Sequence, residues 1–169
     1  MMKWYQNSKI SLIWAVIRIW LGVQWLEAGI HKLKDGFDAS GFLTHALQSS
    51  GGENPAVQGW YASFIQHFAL PNVAVFNVIV PLGEVLIGLG LIVGLATIPA
   101  LLAGAFMNLN FMLAGTTSTN PILYTVAILL LFTGCASYYW GLDRFVLPAI
   151  KNYFKNRHTK HRIANSASH

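Results

Sequence analysis

Two ionisable residues sit where the surrounding sequence is almost wholly apolar. Arg18 lies within the stretch 10–30, and Glu84 within the stretch 73–95. A charged group deep in a bilayer costs about 2.5–3.5 kcal/mol on insertion scales, so such residues mark ion pairs, proton relays or ligand sites. Arg18 and Glu84 have opposite signs, and pairing each with the other is the simplest expectation. Other residue types capable of chemistry occur in the same stretches: Trp25, Asn108 and Tyr124, with His31 and Lys32 just past the first. Together they suggest a polar midplane pocket for a ligand, with a buried pair that merely fixes helix register as the alternative. Arg18 and Glu84 are the candidate catalytic residues, and Trp25, Asn108, Tyr124, His31 and Lys32 the candidate ligand-binding ones.

The elements that carry these residues follow from composition. Of 169 residues, 54% are hydrophobic and only 10% are charged, whereas a soluble domain has about 25% charged residues. That is the composition of an integral membrane protein. The net charge of +5 is concentrated toward the two ends, which favours contact with a membrane surface and argues against nucleic acid as a partner. A single cysteine, Cys135, excludes dithiol chemistry within one chain. Lys3 and Lys9 before an apolar run imitate a signal peptide. The run is too long for one and contains Arg18 and Glu27, so it reads as a retained first span.

Four apolar segments, about 11–30, 73–95, 99–114 and 121–140, predict an all-α, four-transmembrane-helix bundle, because lipid leaves no water for unpaired backbone groups. Lys3, Lys9, Arg144, Lys151, Lys155, Arg157, Lys160 and Arg162 flank the outer two segments. The positive-inside rule then places both termini in the cytoplasm of a multi-pass protein of the cell (plasma) membrane. Residues 1–150 form one membrane domain. Residues 151–169 form a basic cytoplasmic tail whose start hugs the inner leaflet and whose remainder frays. In the long outer connection 31–72, Phe42, Leu43, Ala46 and Leu47 have helical spacing, as do Val57, Trp60, Tyr61, Phe64, Ile65 and Phe68. Two short amphipathic helices are expected, separated by Gly51 and Gly52. Asn54-Pro55 would start the second and Leu70-Pro71 would end it. They would serve as an interfacial anchor or as a lid over a site opening outward. His45 and His67 on these helices read as loop histidines rather than haem or metal ligands.

A helix rises about 1.5 Å per residue. Measured from the expected ends of the spans, Arg18 lies about 10 Å above the inner face, Glu84 about 14 Å, and Asn108 and Asn110 about 13–17 Å. Arg18, Gly22, Trp25 and Gly29 share one helical stripe. Pro81, Glu84, Gly88 and Leu91 share another, and Gly104, Asn108 and Phe111 a third, with Asn110 turned away. Tyr124, Leu131, Cys135 and Tyr138 line up on the fourth segment. Glycines on the first two stripes allow close backbone approach. Glu27 lies opposite Arg18 and is expected to bond His31, four residues on.

The order of these features resembles the DoxX/DoxD family of small four-helix membrane proteins. The resemblance rests on Arg18 with Gly22, Trp25, Gly29 and Lys32, on Leu82-Gly83-Glu84 with Gly88 and Leu91, and on the stretch 108–115. The run Thr116, Thr117, Ser118, Thr119, Asn120, Pro121 is similar to the DoxD branch, which includes the large subunit of a thiosulfate:quinone oxidoreductase. The resemblance implies a membrane subunit working with the quinone pool. Quinone would be a substrate, thiosulfate or a thiol the electron donor, and a redox protein a partner, or the activity would be quinone detoxification. On that reading Arg18 and Asn108 would donate to a quinone oxygen, Glu84 would orient Arg18 or relay a proton, Trp25 would stack on the ring, and His31 and Lys32 would offer positive charge to an anionic sulfur substrate. Two rival readings remain: a non-catalytic scaffold that recruits a redox enzyme, and a small anion or lipid transporter. Electron donor, quinone type and oligomeric state are not encoded in any motif of the chain.

Overall fold

The computed structural model describes residues 8–116 and 118–166. Lys3, Thr117 and residues 167–169 lie outside the described residues, as do the side chains of Lys9, Cys135, His158, His161 and the basic residues after Lys155. The first helix, α1 (Ser8–Asp35), has 28 residues, so at 1.5 Å per residue it is about 42 Å long and overshoots the expected span at both ends. Then come α2 (Ala39–Gln48), α3 (Gly59–Phe64, continued by a π-helical turn Ile65–Ala69), α4 (Val73–Val93), α5 (Thr97–Leu113), α6 (Asn120–Thr133), α7 (Cys135–Tyr138) and α8 (Asp143–Ser166).

Helices α1, α4, α5 and α6 close a ring, each packing on the next and α6 on α1. By length and composition, α1 and α4 can each cross a membrane, while α5 and α6 are shorter apolar helices of 17 and 14 residues. Leu12, Val16, Val78, Leu86, Phe106 and Phe132 are each more than half exposed on the outside of the ring. Inside, Leu21, Leu91, Leu101 and Leu130 are fully buried, together with Arg18, Glu84 and Asn108. An apolar exterior around buried charge is the arrangement hydrocarbon solvent selects.

The α1–α4 seam is closed by glycine. A Cβ on Gly22 would meet Gly88 O at 2.9 Å, one on Gly29 would meet Val85 N at 2.8 Å, and one on Gly88 would meet Leu26 N at 2.6 Å. Side chains cannot separate these backbones, so the two helices run antiparallel in van der Waals contact.

Two features depart from the sequence expectation, the end of the fourth segment and the tail. The segment expected over 121–140 ends at Thr133, because Gly134 adopts φ 55° and a short α7 follows at a new angle. Helix α4 ends at Gly94 with φ 71°, and Ala96 at φ 52° turns the chain into α5. The backbone N–H groups of Ala96 and Thr97 are capped from a distance by the Asp143 carboxylate, at 2.8 and 2.7 Å, which suits the positive end of a helix dipole. The tail, expected to fray, continues α8 as far as Ser166.

In the connection 31–72, α2 and α3 form as expected, but α3 starts at Gly59 rather than at Asn54-Pro55. Leu43, Ala46, Val57, Tyr61 and Ile65 make a second core between them. Asp38 caps α2 through Ser40 N, and Asn77 of α4 pins the same corner, accepting from Ala39 N at 2.8 Å and donating to Asp38 at 3.2 Å. These helices sit at one end of the ring, where the Tyr61 hydroxyl bonds Asn110. The α4–α5 turn and the start of α8 meet at the other end, where Asp143 N donates to Gly94 O at 2.8 Å.

Candidate functional site

Glu84 is neutralised by Lys32, not by Arg18. The Lys32 ammonium donates to both carboxylate oxygens of Glu84, at 2.7 and 2.8 Å. The glutamate side chain is 1% exposed and the lysine 27%. The pair is thus sealed on the Glu84 side and open on the lysine side. Glu84 reaches it from α4 one turn before Gly88, and Lys32 reaches back from the last turn of α1. The Lys32 ammonium also lies 5.6 Å from the ring centre of Phe37 and 5.9 Å from that of Phe111, a cation–π arrangement that further confines it.

Arg18 belongs to the opposite end of the bundle. The residue is 1% exposed, and its guanidinium donates to Trp140 O at 3.1 Å and feels the negative charge of Asp143. It is packed so tightly that a Cβ on Gly94 would collide with it. Its Nε and Nη1 have no hydrogen-bond partner among the described residues. The stagger of α1 against α4 explains the exchange of partners. Gly22 opposes Gly88 and Gly29 opposes Pro81 and Val85, so Arg18 falls level with the end of α4, about 15 Å from the level of Glu84. Depths counted from assumed helix starts placed the two together, whereas the glycine contacts set the register.

Glu84 and Lys32 open onto a cleft of about 420 Å³ lined also by Trp25, Asn108, His31, Gln24 and Glu27. Trp25 and Asn108 are buried, and neither the indole N–H nor either amide atom of Asn108 has a partner among the described residues. A buried polar group left unpaired costs about 1–3 kcal/mol, so two cleft-lining residues with three such atoms between them mark a place that favours a polar ligand. Trp25 is pressed on Gly104, where a Cβ would stand 3.2 Å from the indole nitrogen. His31 is at the rim, with Asp35 at 3.6 Å, and the expected Glu27–His31 bond is absent from the described contacts. Tyr124 packs against the apolar core of the ring rather than lining the cleft.

The cleft also takes Thr116, Ser118, Thr119 and Asn120 from the α5–α6 turn. Sequence reasoning noted this hydroxyl-rich turn but assigned it no site role. Its polarity directly after an apolar helix was the available signal.

A second cavity of about 450 Å³ lies behind the cleft, between α2, α3, α4 and α5. It is lined by Phe37, Phe42, Phe64, Phe68, Phe76, Phe106 and Phe111, with Tyr61 and Asn110 as its polar members. Ile79, Phe68 and Phe106, all more than half exposed on the flank of the bundle, form its mouth. Phe37, Phe42 and Phe111 line both cavities, with Phe42 and Phe111 packed edge to face at 6.3 Å. Burial raises the pKa of Tyr61, whose hydroxyl donates to the Asn110 side-chain oxygen at 3.0 Å. Among the described residues no cluster of three or more His, Cys, Asp or Glu forms.

The family model described as DoxX matches residues 13–117, which contain both cavities' charged and aromatic walls but not α6, α7 or α8. No curated protein and no solved structure matches the chain.

Proposed function

The chain belongs to the DoxX family, and on that premise we propose that it is the membrane subunit of a quinone-linked oxidoreductase. The observation that carries this reading is the pair of cavities sharing the Phe37–Phe42–Phe111 wall, one apolar and aromatic, the other polar and charged. The aromatic cavity opens sideways through residues that face lipid, which suits a quinone ring entering from the bilayer. The polar cleft, with Lys32 half-open and Asn108 unpaired, suits a small anionic or thiol donor. Quinone reduction takes two electrons and two protons. Two thiols give a disulfide, two electrons and two protons, whereas two thiosulfates give tetrathionate and two electrons only. In the second case the protons come from water, and the Glu84–Lys32 pair is the relay placed to pass them. Lys32 would hold the anionic donor, Asn108 and the Trp25 indole N–H would bond its oxygens, and Glu84 would orient Lys32. The bundle would cross the bilayer four times with both termini cytoplasmic, and its hydroxyl-rich turn at 116–121 would place it with the DoxD type.

The experiment is quinone reduction by purified protein in lipid nanodiscs, using a short-chain ubiquinone analogue with thiosulfate or a dithiol. Saturable turnover that Lys32→Met abolishes while quinone binding persists is the expected result. Absence of both binding and turnover would remove the enzyme reading. Cellular function surviving a Lys32→Met/Glu84→Met double change would point to the scaffold instead.

A further inference from the structure

On the quinone reading, on which this inference rests, the polar cleft has two candidate electron donors. We propose that it takes an uncharged, hydroxyl-bearing thiol rather than thiosulfate. Asn108 is fully buried and lines the cleft, and neither its amide nitrogen nor its amide oxygen has a hydrogen-bond partner among the described residues. Exchanging the two amide atoms changes nothing, because a donor and an acceptor are unpaired either way. Such an amide is complemented by a ligand that both accepts and donates. A hydroxyl does both through one oxygen. Thiosulfate, a dianion without hydrogen, only accepts, and would leave the Asn108 oxygen buried and unpaired.

The charge balance points the same way. Among the described residues, the cleft is lined by one ammonium, Lys32, and by two carboxylates, Glu84 and Glu27. Lys32 is already engaged with both oxygens of Glu84, and Glu27 is exposed. His31, at the rim, has Asp35 at 3.6 Å, so a charge on its ring is offset as well. A dianion therefore meets no net positive field here, whereas a neutral molecule meets no barrier. The exposed hydroxyl residues Ser118 and Thr119 line the same cleft and add uncharged polar groups. The redox step balances with the two substrates alone. Two thiols lose their S–H bonds and form one S–S bond, and the quinone takes the two electrons and two protons to become the quinol. No proton is drawn from water, and Lys32 and Glu84 stay paired.

The test is calorimetric titration of the full chain in nanodiscs at low salt, after subtraction of empty discs, with dithiothreitol, 1,4-butanedithiol and thiosulfate. The two dithiols differ only in the hydroxyls of the first. Dithiothreitol is expected to bind about tenfold or more tightly than either of the others. Asn108→Leu is expected to remove its advantage over butanedithiol. Glu27→Gln, a change at an exposed position that leaves the packing intact, is expected to strengthen thiosulfate binding about twofold or more and to leave dithiothreitol unaffected. Thiosulfate or butanedithiol binding as tightly as dithiothreitol would overturn the proposal, and so would a preference that survives Asn108→Leu. A short-chain ubiquinone analogue is titrated into the same discs. Quinone binding without dithiothreitol binding would sink this inference alone, whereas loss of both would remove the quinone reading with it.

Discussion

Alanine at Gly88 and alanine at Gly83 are the same chemical change on the same helix, five residues apart, yet the structure assigns them opposite effects. A Cβ at Gly88 would lie 2.6 Å from Leu26 N and 2.8 Å from both Gly22 O and Leu26 Cα. Ordinary carbon contacts stand at about 3.5–4.0 Å, so the deficit is about 1 Å. The obstructing atoms are backbone and cannot rotate aside, so α1 and α4 must part and lose contact along the seam. Overpacking of this kind costs about 1–3 kcal/mol, and the upper half of that range applies because nothing flexible can yield. Alanine returns about 1 kcal/mol through better helix propensity, leaving Gly88→Ala about 1–2 kcal/mol less stable. At Gly83 the nearest atom is Met107 Sδ at 3.4 Å, the end of a pliable side chain. There the propensity gain stands almost alone, and Gly83→Ala is neutral to about 1 kcal/mol more stable. Thermal unfolding in detergent, followed by tryptophan fluorescence, reads the difference, since Trp25 is buried in the affected region. For a chain this long, 1 kcal/mol corresponds to about 2–4 °C, so a difference of about 1–3 kcal/mol separates the two variants by about 2–12 °C. Equal melting temperatures would refute the close seam and the helix register derived from it.

Lys32→Met leaves the Glu84 carboxylate buried without its partner and is expected to lower stability by about 2–3 kcal/mol, at the low end for a buried pair because the lysine is partly solvated. Adding Glu84→Leu recovers most of that loss, and a double change as damaging as the sum of the singles would sink the pairing. Gly94→Ala combines a left-handed φ of 71° with a collision against Arg18. Its cost is expected to shrink by about 1 kcal/mol or more in an Arg18→Met background, and strict additivity in the melting temperatures would count against the packing described. The hydroxyl and N–H of Ser40, with the Asn77 amide, hold the Asp38 carboxyl below the ordinary carboxylate range. Its folded-state pKa is depressed, so its support of α2 is complete above the unfolded value of about 3.9 and is lost as pH falls through the folded one. Hydrogen exchange of α2, corrected for intrinsic rates, should stay flat from neutral pH to about pH 5 and rise only on further acidification, with the step absent in Asp38→Asn. A change in protection between pH 5 and 7 would contradict this assignment.

The sequence alone determined the solvent and the parts. A composition with 10% charged residues dictates helices whose outward faces are apolar, and the 3.6-residue period names the inward faces: Gly22, Trp25 and Gly29 on α1, Glu84 and Gly88 on α4, Asn108 on α5. It also marked the amphipathic pieces that became α2 and α3, because their apolar spacing is local. What the sequence could not determine was which buried charge meets which. Periodicity fixes the angle of a residue around its helix but not its height against a neighbour. That height was set by backbones meeting at Gly22, Gly29 and Gly88, contacts that exist only once both helices are in place. Their stagger carried Arg18 to the Trp140–Asp143 end and brought Lys32 down onto Glu84. The same holds for the cap that Asp143 places on α5 from 46 and 47 residues away, and for the end of α6 at Gly134. Each depends on a neighbour across the bundle or on one glycine's choice of φ, and neither leaves a periodic trace in the chain.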